Sequence, residues 1–232
     1  MLRIDMLRKR LMGLFVLSLV LLSCGNKESK SNNDKTLDSA DQKTAVAATK
    51  QKNILFFGTS LTAGYGLDPT EAYPALIQNR IDSLQLPYKV INGGLSGETS
   101  AGGKGRIDWL LKQRVDIFVL ELGANDGLRG LPVSQTVKNL QAIIDRVKAK
   151  YPDAKMVLAG MQVPPNMGAK YASDFKNMFP DLAKKNQMAL IPFLLDKVGG
   201  VPELNQADGI HPTADGDKIL AENVWVVLKG LL

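Results

Sequence analysis

Asn53-Ile54-Leu55-Phe56-Phe57 runs directly into Gly58-Thr59-Ser60-Leu61-Thr62-Ala63-Gly64-Tyr65-Gly66. An unbroken bulky apolar run without alternation predicts a strand buried on both faces, and Gly58 predicts its stop. Tyr88–Asn92, Val115–Leu122, Lys155–Gln162 and Met188–Pro192 read the same way. The segments between them carry apolar stripes at helical spacing. Ala72–Leu86 aligns Leu76, Ile77, Ile81 and Leu84, and Pro132–Tyr151 aligns Val133, Val137, Leu140, Ile143, Ile144 and Val147. Lys170–Asn186 aligns Tyr171, Phe175, Met178, Phe179 and Leu182. Thr213–Leu231 aligns Ile219, Leu220, Val224 and Leu228, with Trp225 packed beside them. Apolar strands alternating with amphipathic helices define an α/β domain, a parallel sheet covered on both faces. No internal repeat or boundary interrupts residues 53–232. In open sheets of this kind the ligand crevice lies at the carboxyl ends of the strands, so the loops there are where chemistry is expected.

Those loops are glycine-rich and carry few polar groups. The first holds Ser60, the second is Asn92-Gly93-Gly94-Leu95-Ser96-Gly97-Glu98-Thr99, and the third is Gly123-Ala124-Asn125-Asp126-Gly127. Near the end of the chain stands Asp208-Gly209-Ile210-His211-Pro212. A hydroxyl becomes a useful nucleophile only when a base takes its proton, and the base needs an acceptor that holds its tautomer. If the chain is a serine hydrolase, the base is His211, because there is no other histidine, and Asp208 lies three residues before it. Acyl transfer also needs donors aimed at the developing oxyanion. The candidates are the Ser60 N–H, the Gly97 N–H and the Asn125 side-chain amide. Each residue alone has a plainer reading: a helix N-cap for Ser60, a loop histidine for His211, a turn for Asn125-Asp126-Gly127.

The chain has 232 residues, 45% hydrophobic and 22% charged, with a formal net charge of +6. That excess sits at the amino end, since residues 53–232 hold 19 basic and 18 acidic groups. A nucleic-acid binder needs a concentrated basic face, so no nucleic-acid partner is expected. One cysteine and one histidine exclude an internal disulfide, a Cys-cage zinc site, an iron–sulfur cluster and multi-His metal sites. Arg3, Arg8, Lys9 and Arg10 precede the uncharged run Leu11–Leu22, too short to span a bilayer but suited to a secretory signal. Met6 offers an alternative start. Leu21-Leu22-Ser23-Cys24 resembles the lipobox of bacterial lipoproteins, which implies cleavage after residue 23 and acylation of Cys24; the plainer reading is a signal or anchor with an incidental cysteine. Gly25–Lys52 is polar and lacks aromatic residues, the composition of a disordered tether, whose coil span would be on the order of 30 Å. The expected organisation is a signal over 1–23, lipidated Cys24 and tether over 24–52, and a domain over 53–232. The expected location is the bacterial envelope, on the inner or outer membrane and facing the periplasm.

Taken in order, the four loops resemble the blocks of the SGNH (GDSL) hydrolase family, and the likeness extends over residues 53–232. Leu122-Gly123-Ala124-Asn125-Asp126-Gly127-Leu128-Arg129-Gly130 is especially similar to the bacterial acyl-CoA thioesterase/lysophospholipase/arylesterase branch. The resemblance implies a flavodoxin-like three-layer α/β/α sandwich with a five-stranded parallel sheet. It implies Ser60 as nucleophile, His211 as base, Asp208 as its partner, and Ser60, Gly97 and Asn125 as oxyanion donors, with no metal and no cofactor. The family usually has Asp before the serine; here the residue is Thr59, which keeps a hydrogen bond and lacks the charge.

Other motifs fall away. Gly97–Gly105 has Gly103 where a phosphate-binding loop needs lysine, and Gly64-Tyr65-Gly66 is followed by Pro69 instead of a third glycine. The Ser60 turn lacks the last glycine of the α/β-hydrolase elbow. Glu121 and Asp126 could form a glycosidase pair, but Glu121 reads better as a buried strand-end residue and Asp126 as a turn residue. The expected activity is a serine esterase for acyl esters or thioesters, a small-molecule substrate, anchored to the membrane through Cys24 without an obligate protein partner. The alternatives are an O-acetyl-glycan deacetylase and a non-catalytic lipoprotein that binds acyl or glycan ligands. Gln162–Gly168, after the fourth strand, is expected to border the acyl site.

Overall fold

The computed structural model describes residues 51–232. The signal-like stretch, Cys24 and the tether through Lys50 lie outside the described residues. One sheet holds β1 (Lys52–Gly58), β2 (Tyr88–Asn92), β3 (Ile117–Glu121), β4 (Lys155–Ala159) and β5 (Ala189–Ile191). Every pairing is parallel and the order is β2-β1-β3-β4-β5. Around it run α1 (Ser60–Ala63), α2 (Tyr73–Ser83), α3 (Ser100–Leu110), α4 (Ala124–Leu128), α5 (Val133–Lys150), α6 (Ala169–Asn186) and α7 (Ala214–Leu228). On one face α2 packs against α7; on the other α3, α5 and α6 pack in a row. This is the three-layer arrangement expected of the alternating pattern.

Strand β1 is the spine. Ile54, Leu55, Phe56 and Phe57 are all wholly buried, each contributing about 1.5–3 kcal/mol on leaving water. Lys52 is not part of the tether, as its composition suggested. It pairs with Tyr88 and its N–H donates to the Pro87 carbonyl at 2.9 Å, so the sheet begins there. Leu84 was expected on the buried stripe of α2 but caps that helix and is 54% exposed. Pairing of β4 stops at Ala159, and Met161 and Gln162 continue past it into a cavity wall.

Helix α3 has no counterpart among the expected elements. Its sequence, SAGGKGRIDWL, reads as a glycine-rich loop. The glycines serve packing: a Cβ on Gly103 would lie 2.4 Å from Leu122 Cδ1. Thr99 supplies the cap by accepting the Gly102 N–H at 3.3 Å. Chain order reverses around β1, and the loops after β1 and β3 open the crevice that such a reversal creates.

Candidate active site

Ser60 lies two residues past the end of β1 and is the first residue of α1, with Thr59 between them at the cap position. His211 and Asp208 come from the loop ahead of α7. The fold closes these loops on each other, setting His211 Nε2 2.8 Å from Ser60 Oγ across 151 positions of chain. The other ring nitrogen, Nδ1, lies 2.6 Å from Asp208 Oδ2. Asp208 Oδ1 also accepts the N–H groups of Ile210 and His211, each at 3.0 Å, which folds Asp208–His211 into one tight turn. These donors, the ring first and then the two amides, hold the Asp208 carboxyl down to about 2. An ionised Asp208 keeps the ring proton on Nδ1, leaving Nε2 as an acceptor facing Ser60. The Tyr65 ring leans on the imidazole with centroids 4.6 Å apart.

Gly97 has φ +76°, a conformation that favours glycine, and no atom would meet a Cβ there, so the position is set by backbone conformation and not by crowding. Its carbonyl accepts from Arg129 Nη2 at 3.1 Å. The N–H groups of Ser60 and Gly97 donate to no protein group among the described residues. Asn125 stands in the first turn of α4, ahead of which Gly123 adopts φ +117°. One hydrogen of the Asn125 amide goes to the Glu98 carbonyl at 3.1 Å, which orients the group and leaves the second hydrogen free to donate. Ser60, Gly97, Asn125 and His211 line one cavity of about 660 Å³. Leu61, Leu128, Met161, Val163, Phe193 and Leu195 give it a mainly apolar wall. Gln162, Val163 and Pro164 do border the cavity, as expected of that segment.

Several supports were not legible in the sequence. Arg106 grips Glu98 with two bonds of 2.9 and 2.5 Å, donates to the Gly93 carbonyl and lies over the Phe57 ring, which anchors the Gly97 loop from behind. Asp126 is not a simple turn residue. It is buried in α4 and accepts the Ser100 N–H at 2.7 Å and the Ser100 hydroxyl at 2.5 Å, tying the Asn125 turn to the start of α3. Glu121 is a wholly buried strand-end residue bound to the Ser60 turn. The two carboxylates therefore serve separate networks and form no glycosidase pair. The buried strand-end position of Glu121 agrees with its reading from the sequence, whereas its bonds to Thr59 and Thr62 left no local signal. Among the described residues no cluster of three or more His, Cys, Asp or Glu side chains is arranged to hold a metal ion.

A hydroxyl–imidazole–carboxylate chain opening onto an apolar cavity, at the reversal point of a doubly wound sheet, marks a hydrolase of acyl compounds. A model of the GDSL-like lipase/acylhydrolase family matches residues 56–219, and the chain belongs to that family. It is 41% identical over 182 residues to the esterase TesA of Pseudomonas aeruginosa, covering 78% of this chain and 90% of that one. It is 39% identical over 176 residues to an Escherichia coli protein named for thioesterase, protease and lysophospholipase activities, covering 75% and 82%. A crystal structure of TesA superimposes with a TM-score of 0.75 at 41% identity, covering 78% of this chain and all of that one. The protein is accordingly an enzyme, a hydrolase of ester bonds.

Proposed function

We propose that the protein is a lipid-anchored envelope serine esterase that hydrolyses acyl esters and thioesters, among them lysophospholipids, aryl esters and short-to-medium acyl esters. Ser60 Oγ attacks the carbonyl carbon while His211 Nε2 takes its proton, giving a tetrahedral oxyanion held by the Ser60 and Gly97 N–H groups and the Asn125 amide. Collapse breaks the ester bond, the alcohol or thiol leaves with the proton from His211, and the acyl group stays on Ser60. Water, deprotonated by the same imidazole, then releases the acid and restores the serine. Asp208 stabilises the imidazolium at both stages.

The observation that carries this reading is the 2.8 Å approach of His211 Nε2 to Ser60 Oγ, two residues that line the same cavity. An apolar wall and a volume within the range of small-molecule pockets favour an acyl chain over an acetyl group on a glycan. Tyr65, Leu128 and Ile210, each over 40% exposed, line the cavity and carry its apolar character out to the surface.

Two experiments test it. Across acyl esters from C2 to C16, kcat/KM is expected to rise about fourfold per methylene while the chain stays inside the cavity, the effect of about 0.8 kcal/mol per buried CH₂. Palmitoyl-CoA and lysophosphatidylcholine assayed beside the series resolve the leaving group. A maximum at acetyl would instead identify a deacetylase. For the anchor, Cys24→Ala is expected to move the protein from the membrane fraction to the soluble one. Persistent membrane association would argue for an uncleaved hydrophobic segment.

A further inference from the structure

Glu121, the last residue of β3, is wholly buried directly behind the Ser60 turn. Its Oε2 accepts the Thr59 N–H at 2.8 Å and the Thr62 hydroxyl at 2.8 Å, and the Thr59 hydroxyl reaches both oxygens at 3.0 and 3.1 Å. Thr59 and Thr62 bracket Ser60, so one carboxylate holds both sides of the proposed nucleophile. Gly58 makes the approach possible, since a Cβ there would lie 2.1 Å from Thr62 Oγ1 and 2.4 Å from Glu121 Oε2. No Lys or Arg pairs with Glu121 among the described residues. Building on the serine-esterase reading, we propose that Glu121 is a positioning residue for Ser60, and that its carboxylate, in the ionised form, sets the Thr59–Thr62 turn for attack.

The direction of the hydrogen bonds explains why ionisation matters. The Tyr73 hydroxyl lies 2.7 Å from Thr62 Oγ1. With Glu121 ionised, Tyr73 donates to Thr62, Thr62 donates to Glu121, and Thr59 donates twice, so every proton in the chain has an acceptor. A protonated Glu121 must itself donate to Thr59 or Thr62. That either ends a bond from the Ser60 turn or reverses the Thr62–Tyr73 bond and strands the phenol proton in a buried site, at a cost of about 1–3 kcal/mol.

Burial lifts the Glu121 carboxyl to about 7, against the four bonds from Thr59 and Thr62 that pull it down, so its proton is exchanged near neutral pH. The other ionisable groups around it are the Tyr73 phenol, raised by burial and by Glu121, and Asp217 on α7. Asp217 accepts the Tyr73 N–H at 3.0 Å and is itself lifted to about 7 by burial, with Glu71 a lesser contributor. His211 meets the Ser60 hydroxyl. The sign for stability is opposite to that for activity. A carboxyl whose folded pKa is raised keeps its proton more tightly folded than unfolded, so stability falls as pH rises from about 4.5 to about 7.

Glu121→Gln tests the proposal because it preserves size and one acceptor but cannot ionise. Activity is normalised to active sites counted with an organophosphonate titrant. At pH 8 the variant is expected to lose roughly tenfold or more in kcat per titrated site with KM within about twofold. The acidic limb of kcat should lose the proton contributed by Glu121 and become shallower. The fall in Tm from pH 5 to pH 8 should shrink but persist, because Asp217 still titrates. Normal kcat per site with an unchanged acidic limb would overturn the proposal. If Glu121→Gln yields no titratable protein, Thr59→Val decides the matter. It removes one hydroxyl donor and keeps the N–H, so a three- to tenfold loss in kcat at unchanged KM is expected, and unaltered kcat would overturn the role. Failure of the underlying esterase reading shows separately, as organophosphonate labelling that survives in Ser60→Ala.

Discussion

Ser60→Ala is expected to lower kcat on a p-nitrophenyl ester by more than about 10³-fold, the scale of removing one member of a serine–histidine–carboxylate relay. The substitution deletes only Oγ. Ser60 is 8% exposed and its hydroxyl bonds to the His211 ring, so the folded state loses one hydrogen bond, worth about 1 kcal/mol. Alanine suits the first position of a short helix, and the backbone N–H at position 60 stays in place. Binding should therefore persist while the covalent step disappears. The signature is near-normal KM for the residual reaction, loss of stoichiometric organophosphonate labelling and little change in Tm. Turnover close to wild type would remove Ser60 from the reaction and leave the imidazole without a nucleophile to serve.

Asn125→Ala is expected to cost about 10²–10³ in kcat, roughly 3–4 kcal/mol of transition-state stabilisation, with KM barely moved. A donor that acts only on the developing oxyanion contributes to the transition state and not to the bound ester, which is why the loss should fall on kcat. The amide also bonds to the Glu98 carbonyl at 3.1 Å, so part of any effect could come from a loosened Gly97 loop. Asn125→Asp sharpens the test, because it keeps the side-chain shape while losing both donations, to the oxyanion and to the Glu98 carbonyl. It also puts a negative charge beside the oxyanion, so its kcat should fall at least as far as in the alanine variant. An aspartate variant markedly more active than the alanine one would mean that Asn125 acts as a spacer and not as a donor.

The apolar runs and stripes foretold the sheet, the covering helices and the loops that carry polar groups, because backbone burial leaves a local record in residue spacing. Where the record failed, long-range packing had overruled it. Helix α3 was hidden by Gly102, Gly103 and Gly105, residues poor in helix propensity, and Gly103 is required by the Leu122 side chain it packs against. Lys52 looked like tether because its side chain is polar, yet it pairs with Tyr88 of β2 and its N–H donates to the Pro87 carbonyl. Asp126 looked like a turn residue because Asn-Asp-Gly is turn-like. Its actual partners, Ser100 and Thr136, come from other parts of the chain, and Ser100 lies 26 positions away.

For the site, the sequence alone determined the candidate set. A single histidine leaves one possible imidazole base, and glycine-rich loops at strand ends leave few polar residues near the crevice. Tertiary structure alone decided that Ser60 and His211 meet at 2.8 Å, that Arg106 anchors the Gly97 loop, and that Glu121 sits buried behind the proposed nucleophile. The reason is one of range. Periodicity reports which side of an element is buried, over a few residues. Proton-transfer distances and the electrostatics of a buried carboxylate depend on segments far apart in the chain, here β1, β3 and the loop before α7, whose juxtaposition arises only when the layers close.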